Sequence, residues 1–204
     1  MAKLYFNYGA MSSGKTTALL QVAHNYEEKG LKILLFKPSI DTKGDKNVVS
    51  RIGISREVDV ILSKDDDIAS YIGEEKPAAI IVDEAQFLTP EQVDTLYVLA
   101  KLDNIPVLCY GLRCDFQMKG FPGSTRLLEI ADTIIESKTI CSCGKKATQN
   151  LRKVNGEPTF DGDQVLIDGS TDDVTYEGVC GECYIKLKEK YDKKNKPKSL
   201  KLTK

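Results

Sequence analysis

The sequence predicts an α/β protein: a parallel sheet flanked by helices, followed by a small cysteine-bearing unit. Two patterns carry this. From residue 1 to about 138, short β-branched apolar runs alternate with polar or amphipathic stretches, as buried parallel strands and their crossovers require. Beyond about 139 that alternation gives way to paired cysteines, short hairpin-like runs and the Gly/Asp-rich stretch FDGDQVLIDGSTDDVTYEG. With 204 residues the chain can bury one good core and carry an appendage. The expected units are 1–138, 139–190 and a Lys-rich end, 191–204, within the frayed and solvated stretch KEKYDKKNKPKSLKLTK.

The first strand, LYFNY, runs into GAMSSGKT at 9–16, which spells G-x-x-x-x-G-K-T. Gly9 and Gly14 give the backbone freedom to turn successive N–H groups of Ala10, Met11, Ser12 and Ser13 around phosphate oxygens. Lys15 can reach the outer phosphates and Thr16 can ligate Mg²⁺, at the positive end of a following helix. That helix shows apolar spacing at Leu19, Val22 and Tyr26 and stops at Gly30. The stretch therefore predicts binding of a nucleoside triphosphate.

Further strands are expected at KILLFK (32–37), VDVIL (58–62), AAIIVDE (78–84) and IPVLCYG (105–111). Helices are expected at about 65–73 and at 90–102, the latter with Thr89 as N-cap and Pro90 at its first position. The polar, Gly-dotted segment 40–56 reads as a long mobile loop. Within it, TKGD at 42–45 mimics a guanine-reading element, but it precedes the Asp83 strand rather than following a later one, which disfavours a plain GTPase.

A net charge of −1 supplies no global field for nucleic acid or membrane. No apolar run approaches the ~20 residues of a membrane span, and the N-terminus enters the first strand directly, so a cytoplasmic protein is expected. Six cysteines then argue for thiolate chemistry rather than disulfides.

IIVDEAQF (80–87) ends an apolar strand in Asp83, placing a carboxylate at the sheet's C-terminal edge, where it can hold Mg²⁺ beside the phosphate loop. The one histidine, His24, lies well along the first helix, roughly 13 Å from the phosphates by helical rise, and reads as a surface residue. Glu84 is thus the leading candidate to orient and deprotonate an acceptor hydroxyl. Cys141 with Cys143, and Cys180 with Cys183, form two tight pairs suited to a closed tetrahedral Zn²⁺ site that staples a unit too small for its own core. A redox dithiol and four unrelated thiols are the alternatives. Cys109 reads as core and Cys114 as a bystander.

The phosphate loop, DEAQF, YGLRCDFQMKGF (110–121) and the cysteine-clamped segment occur in an order that resembles the type II thymidine kinases over roughly 1–190, with LYFNYGAMSSGKTTALLQ closest to bacterial members. The resemblance implies transfer of a phosphoryl group from ATP with Mg²⁺ to the 5′-hydroxyl of thymidine or deoxyuridine, giving dTMP in nucleotide salvage. It implies Glu84 as base, Asp83 and Gln86 beside ATP, and Met11, Phe87, Leu112, Phe116 and Phe121 around thymine, where apolar walls and stacking suit a flat pyrimidine. It also implies a zinc-pinned lasso, DQVLIDGSTDDVTY, bringing Val165, Leu166, Ile167 and Tyr176 to the nucleoside, with Asp41 contributing from the 40–56 loop. Homotetramers and inhibition by thymidine triphosphate are implied likewise, and neither is visible in the residues. Lys43 departs from the arginine that many relatives carry after the loop aspartate, the 169–175 stretch is longer than expected, and Arg152 could touch phosphate or be an ordinary surface residue. Another P-loop ATPase or small-molecule kinase with a structural zinc clip, and a zinc-ribbon interaction protein with a degenerate nucleotide site, are the competing readings.

Overall fold

The computed structural model describes residues 1–39, 46–164 and 173–195. In chain order, β1 (Leu4–Tyr8) leads through the phosphate loop to α1 (Lys15–Glu28) and β2 (Ile33–Pro38). The hairpin strands β3 (Asn47–Val49) and β4 (Ser55–Glu57) precede β5 (Val60–Leu62) and a 3₁₀ turn at Ile68–Tyr71. Next come β6 (Ala79–Val82), a second 3₁₀ turn (Ala85–Phe87), α2 (Pro90–Leu102), β7 (Val107–Gly111), α3 (Pro122–Ile130) and β8 (Thr133–Glu136). The C-terminal part holds β9 (Thr139–Ile140), β10 (Lys146–Ala147), β11 (Gln149–Val154), β12 (Glu157–Thr159), β13 (Val174–Val179) and α4 (Gly181–Asn195).

Six strands form one parallel sheet in the order β5-β2-β6-β7-β1-β8, and five of them, all but β8, are the apolar runs expected from the sequence. β6 shows why those runs lack alternation. Ile80 and Val82 enter the core beneath α2, while Ala79 and Ile81 enter the core beneath α1, so both faces of the strand are buried. Burial of each of these larger side chains contributes roughly 1.5–3 kcal/mol. The order also sets β7 between β1 and β6, so the loops that leave the C-terminal ends of these three strands meet at one edge.

The C-terminal part has a separate small core, in which Leu151, Phe160, Val179 and Tyr184 pack with Cys141 and Cys180. Its three-stranded antiparallel sheet, β12-β11-β13, is backed by α4.

Four differences from the sequence reading have local causes. Residues 46–57, expected within a mobile loop, form the β3–β4 hairpin: Val48 is buried against α1 and β2, and Ser50 accepts the Ile54 amide within a turn carrying Gly53 at φ 87°. The helix expected at about 65–73 is only one 3₁₀ turn, capped by Asp67 accepting from the Ala69 amide. α3 and β8 have mixed patterns that gave no clear period. α4 extends to Asn195, into the stretch expected to fray, because Tyr184, Leu187 and Tyr191 recur at helical spacing and pack on the small core.

The start of α2 follows the sequence signal. Thr89 Oγ1 accepts the Gln92 amide while Gln92 Oε1 accepts the Thr89 amide, a reciprocal cap. Gln92 Nε2 also donates to the carbonyls of Ser63 and Asp66, so this one buried side chain ties α2 to the preceding loop. Accordingly, Thr89→Ala should cost about 1 kcal/mol in urea unfolding. Gln92→Ala should cost more, about 2–4 kcal/mol, because it strands two carbonyls as well as a cap.

Candidate active site

Two left-handed residues shape the phosphate loop. Gly14 caps α1 at φ 77°, and Ser12, not glycine, adopts φ 62°. Gly9 is required for space instead: a Cβ there would lie 2.3 Å from Ser13 Oγ and 2.5 Å from the Ser137 carbonyl. Lys15 Nζ donates to the carbonyls of Gly9 and Ala10 and to Ser13 Oγ, holding the ammonium inside the loop. Burial lowers its pKa, the charges of Glu84 and Asp83 raise it again, and Arg51 pushes it down.

Asp83 follows β6 and is buried. Burial, with Glu84 adjacent, raises its carboxyl pKa to about 7, while the Glu84 backbone N–H, Lys37 and Lys15 draw it down. Glu84 sits at φ 50°, ψ 38°, a left-handed conformation that costs a non-glycine residue of order 1–3 kcal/mol. The Glu84 carboxylate is held by Gln86, whose Nε2 donates to Glu84 Oε2. Gln86, expected beside ATP, is buried, its Oε1 accepts the Leu112 amide, and it lines the second of two adjoining cavities.

The first cavity, about 360 Å³, is walled by the phosphate loop, Lys15 and Thr16, with Arg51 and Ile52 of the β3–β4 hairpin opposite. The second, about 230 Å³, is mostly apolar and includes Phe87, Phe116, Phe121 and Tyr176. Met11, Glu84 and Leu112 belong to both walls. Phe87 and Phe121 meet edge to face at 5.4 Å between centroids, and Phe116 is fully buried. Met11, Phe87, Leu112, Phe116, Phe121 and Tyr176 are thus brought together around one cavity, as expected. Asp41 and Val165, Leu166 and Ile167 lie outside the described residues, as do Lys43, the TKGD stretch and residues 169–172.

Arg152 fits neither expectation made for it. It is 2% exposed, and its guanidinium lies 3.6 Å from the centre of the Phe116 ring. It donates to the carbonyls of Asp161 and Asp163, so it backs the aromatic wall and anchors the start of the 161–164 stretch. Further residues that the sequence reading missed complete the wall. Asp115 accepts from the amides of Gln117 and Lys119 and from Gln164 Nε2, an Asx-type turn legible as D-x-Q-x-K. Arg51 and Asn150 carried no local signal at all.

The thiol sulfurs of Cys141, Cys143, Cys180 and Cys183 all lie within 4.8 Å of one another. The Cys143–Cys180 separation of 3.6 Å approaches the ~3.8 Å edge of a tetrahedron with 2.3 Å metal–sulfur bonds. Backbone N–H groups of Cys143 and Cys180 lower the Cys141 pKa to about 6. Cys180 is lowered too, while Cys183, sharing hydrogen bonds with its neighbours, is raised to about 12. These four residues can hold a metal ion. Cys109 and Cys114 stand apart, buried with raised pKa values, and His24 is exposed, all as read from sequence. No helix among the described residues is long and apolar enough to cross a membrane.

A phosphate loop, a strand-end Asp-Glu pair and an adjoining aromatic cavity on a parallel sheet define a nucleotide-binding phosphotransferase of the P-loop class. The comparisons narrow this. Residues 2–184 match the family model for thymidine kinase. The chain is 47% identical to a thymidine kinase of Chromobacterium violaceum over 90% of this chain and 98% of that protein. It is 46% identical to one from Streptococcus pyogenes (90% and 97% covered) and 46% to one from Ruegeria pomeroyi (88% and 92% covered). The chain belongs to the thymidine kinase family.

The Asp83 environment makes a stability prediction. Its pKa is raised from 3.8 unfolded to about 7 folded, so the folded state holds the proton more tightly. Its stabilising contribution is complete below the unfolded value and is lost as pH rises through about 7. Asp83→Asn should therefore raise the melting temperature at pH 8, by about 2–4 °C per kcal/mol recovered, and give no gain near pH 4. Thermal melts at the two pH values check this.

Proposed function

We propose that this chain is an ATP-dependent thymidine kinase, transferring the γ-phosphoryl group of ATP to the 5′-hydroxyl of thymidine, and of deoxyuridine, to give dTMP and ADP in nucleotide salvage. The observation that supports it most is the position of Glu84, on the wall common to the phosphate-loop cavity and the aromatic cavity, with its carboxylate oriented by Gln86.

The main-chain N–H groups of residues 9–14 and the α1 N-terminus cradle the ATP phosphates, and Lys15 neutralises charge on the oxygens passing to the acceptor. Thr16 and Asp83 would hold Mg²⁺, which would supply positive charge to offset the negative charge developing on the phosphoryl oxygens. Phe116, Phe121 and Phe87 give the pyrimidine flat apolar walls, with Met11 and Leu112 between base and phosphates. Glu84 accepts the 5′-hydroxyl proton as the oxygen attacks phosphorus in line, and ADP departs with the electrons of the broken bond. Zn²⁺ suits the four thiols, since an all-cysteine tetrahedral set favours that ion, and bound there it would be purely structural. In the same reading Asp41, Val165, Leu166, Ile167 and Tyr176 complete the nucleoside contacts, the protein is a cytoplasmic homo-oligomer, a tetramer by family resemblance, and thymidine triphosphate inhibits it.

ADP release measured with a panel of nucleosides tests the reading. Thymidine should stimulate turnover strongly over cytidine or buffer, whereas turnover indifferent to thymidine would favour another P-loop ATPase with a metal clip. Glu84→Gln should lower kcat by about 10²–10⁴-fold with little change in ATP affinity, and full retained activity would exclude Glu84 as base. Chelation of the metal should abolish nucleoside phosphorylation while ATP binding persists. Joint loss of both would place the metal in overall folding.

A further inference from the structure

β11 carries Asn150 on its face toward the phosphate loop, and this side chain is 3% exposed. Its Oδ1 accepts the Met11 amide at 2.8 Å, and its Nδ2 donates to the Cys114 carbonyl at 2.7 Å. One planar amide therefore joins the crest of the phosphate loop to the β7–α3 loop that carries Leu112, Phe116 and Phe121. Only a group offering an acceptor and a donor side by side satisfies both partners, which also fixes the orientation of the amide.

β13 also closes on the carbonyl side of Met11. Gly178 of β13 is the register partner of Asn150, and a Cβ on it would lie 2.9 Å from the Met11 carbonyl. Thr139 Oγ1 donates to the adjacent Ser12 carbonyl. Two residues after Gly178, just past the end of β13, stands Cys180, one of the four clustered thiols. The cysteine-bearing unit thus reaches the phosphate loop through the side chains of Asn150 and Thr139 and reaches the aromatic loop through Asn150.

We propose that Asn150 is a positioning residue that sets the separation between phosphoryl donor and acceptor, by bonding the phosphate loop and the nucleoside loop to one rigid strand of the metal-clamped unit. This rests on the kinase reading above. Met11, whose amide Asn150 accepts, and Leu112, two residues before Cys114 in the same loop, both belong with Glu84 to the walls of the two cavities. In-line transfer depends on that spacing: displacement by about 1 Å can cost on the order of 10²-fold in rate without loss of binding.

Two variants separate positioning from folding. Asn150→Asp keeps the acceptor for Met11 but turns a second oxygen toward the Cys114 carbonyl, whereas Asn150→Leu keeps similar volume and removes both bonds. Thymidine phosphorylation should fall in kcat by about 10-fold for Asp and on the order of 10²-fold for Leu, with separate affinities for ATP and thymidine changed by no more than about threefold. Amide exchange at Met11 should accelerate in Asn150→Leu while β1 and β7 stay protected. The proposal is overturned by kcat values within about twofold of the unmodified protein, by a Met11 amide that remains equally protected, or by bound metal and melting temperature falling in step with activity. If the unmodified protein fails to phosphorylate thymidine, the kinase reading fails, and Met11 exchange still decides whether the bridge holds the loop.

Discussion

The chemistry of the site depends on one buried amide, that of Gln86. Its Nε2 orients the Glu84 carboxylate and its Oε1 holds the Leu112 amide, so the candidate base and the loop that walls the acceptor cavity are fixed by the same group. β7 accommodates it by ending in Gly111, where a Cβ would lie 2.6 Å from Gln86 Oε1. Loss of either bond would leave a buried polar atom unpaired at a cost of about 1–3 kcal/mol, which is why such a group tolerates little movement. Rigidity at Gln86 is inherited from the sheet, since β6 and β7 are hydrogen-bonded neighbours whose register is set by residues buried on both faces.

That rigidity lets the site hold strain. Ser12 and Glu84 both adopt left-handed backbone angles without being glycine; both line the phosphate-loop cavity, and Glu84 lines the aromatic cavity as well. Each would relax in a looser loop. Ser12 is held by the bond from Thr139 to its carbonyl, and Glu84 by Gln86 and the 3₁₀ turn that follows. The electrostatics is similarly paired: Asp83 is buried and Lys15 partly so, and each carries a pKa displaced against its charged form, so each is in part stabilised by the other.

Features whose physics is local were legible in the sequence. The phosphate loop demands glycine at two positions, the thiol cluster demands four cysteines in two pairs, and the α2 cap demands Thr89, Pro90 and Gln92 in order. The sheet was legible too, because strands buried on both faces read as continuous apolar runs. Arg152 and Asn150 were not. An arginine on a short strand is ordinarily exposed, and nothing near position 152 reveals that the Phe116 ring, distant in sequence, will cover it. The β3–β4 hairpin escaped for a related reason: among its strand residues only Val48 is buried, too few to set a period.

The cysteine-bearing unit is then more than an appendage. Its own core is small, with two of the four cysteines among the buried residues, and a core of that size needs a further constraint to hold one shape. Yet the partners of its sheet lie largely outside it: Asn150 bonds Met11 and Cys114, Arg152 stacks on Phe116, and Tyr184 Oη donates to the Phe116 carbonyl at 2.7 Å. Gln117 of the aromatic loop returns the contact by donating to the carbonyls of Phe160 and Gly162. The aromatic cavity therefore takes its walls from the loops of the parallel sheet and from the cysteine-bearing unit together. A metal bound by the four thiolates, remote from the reacting atoms, would act on transfer by keeping β11 and β13 in register. Those strands in turn hold the phosphate loop and the aromatic loop at one spacing.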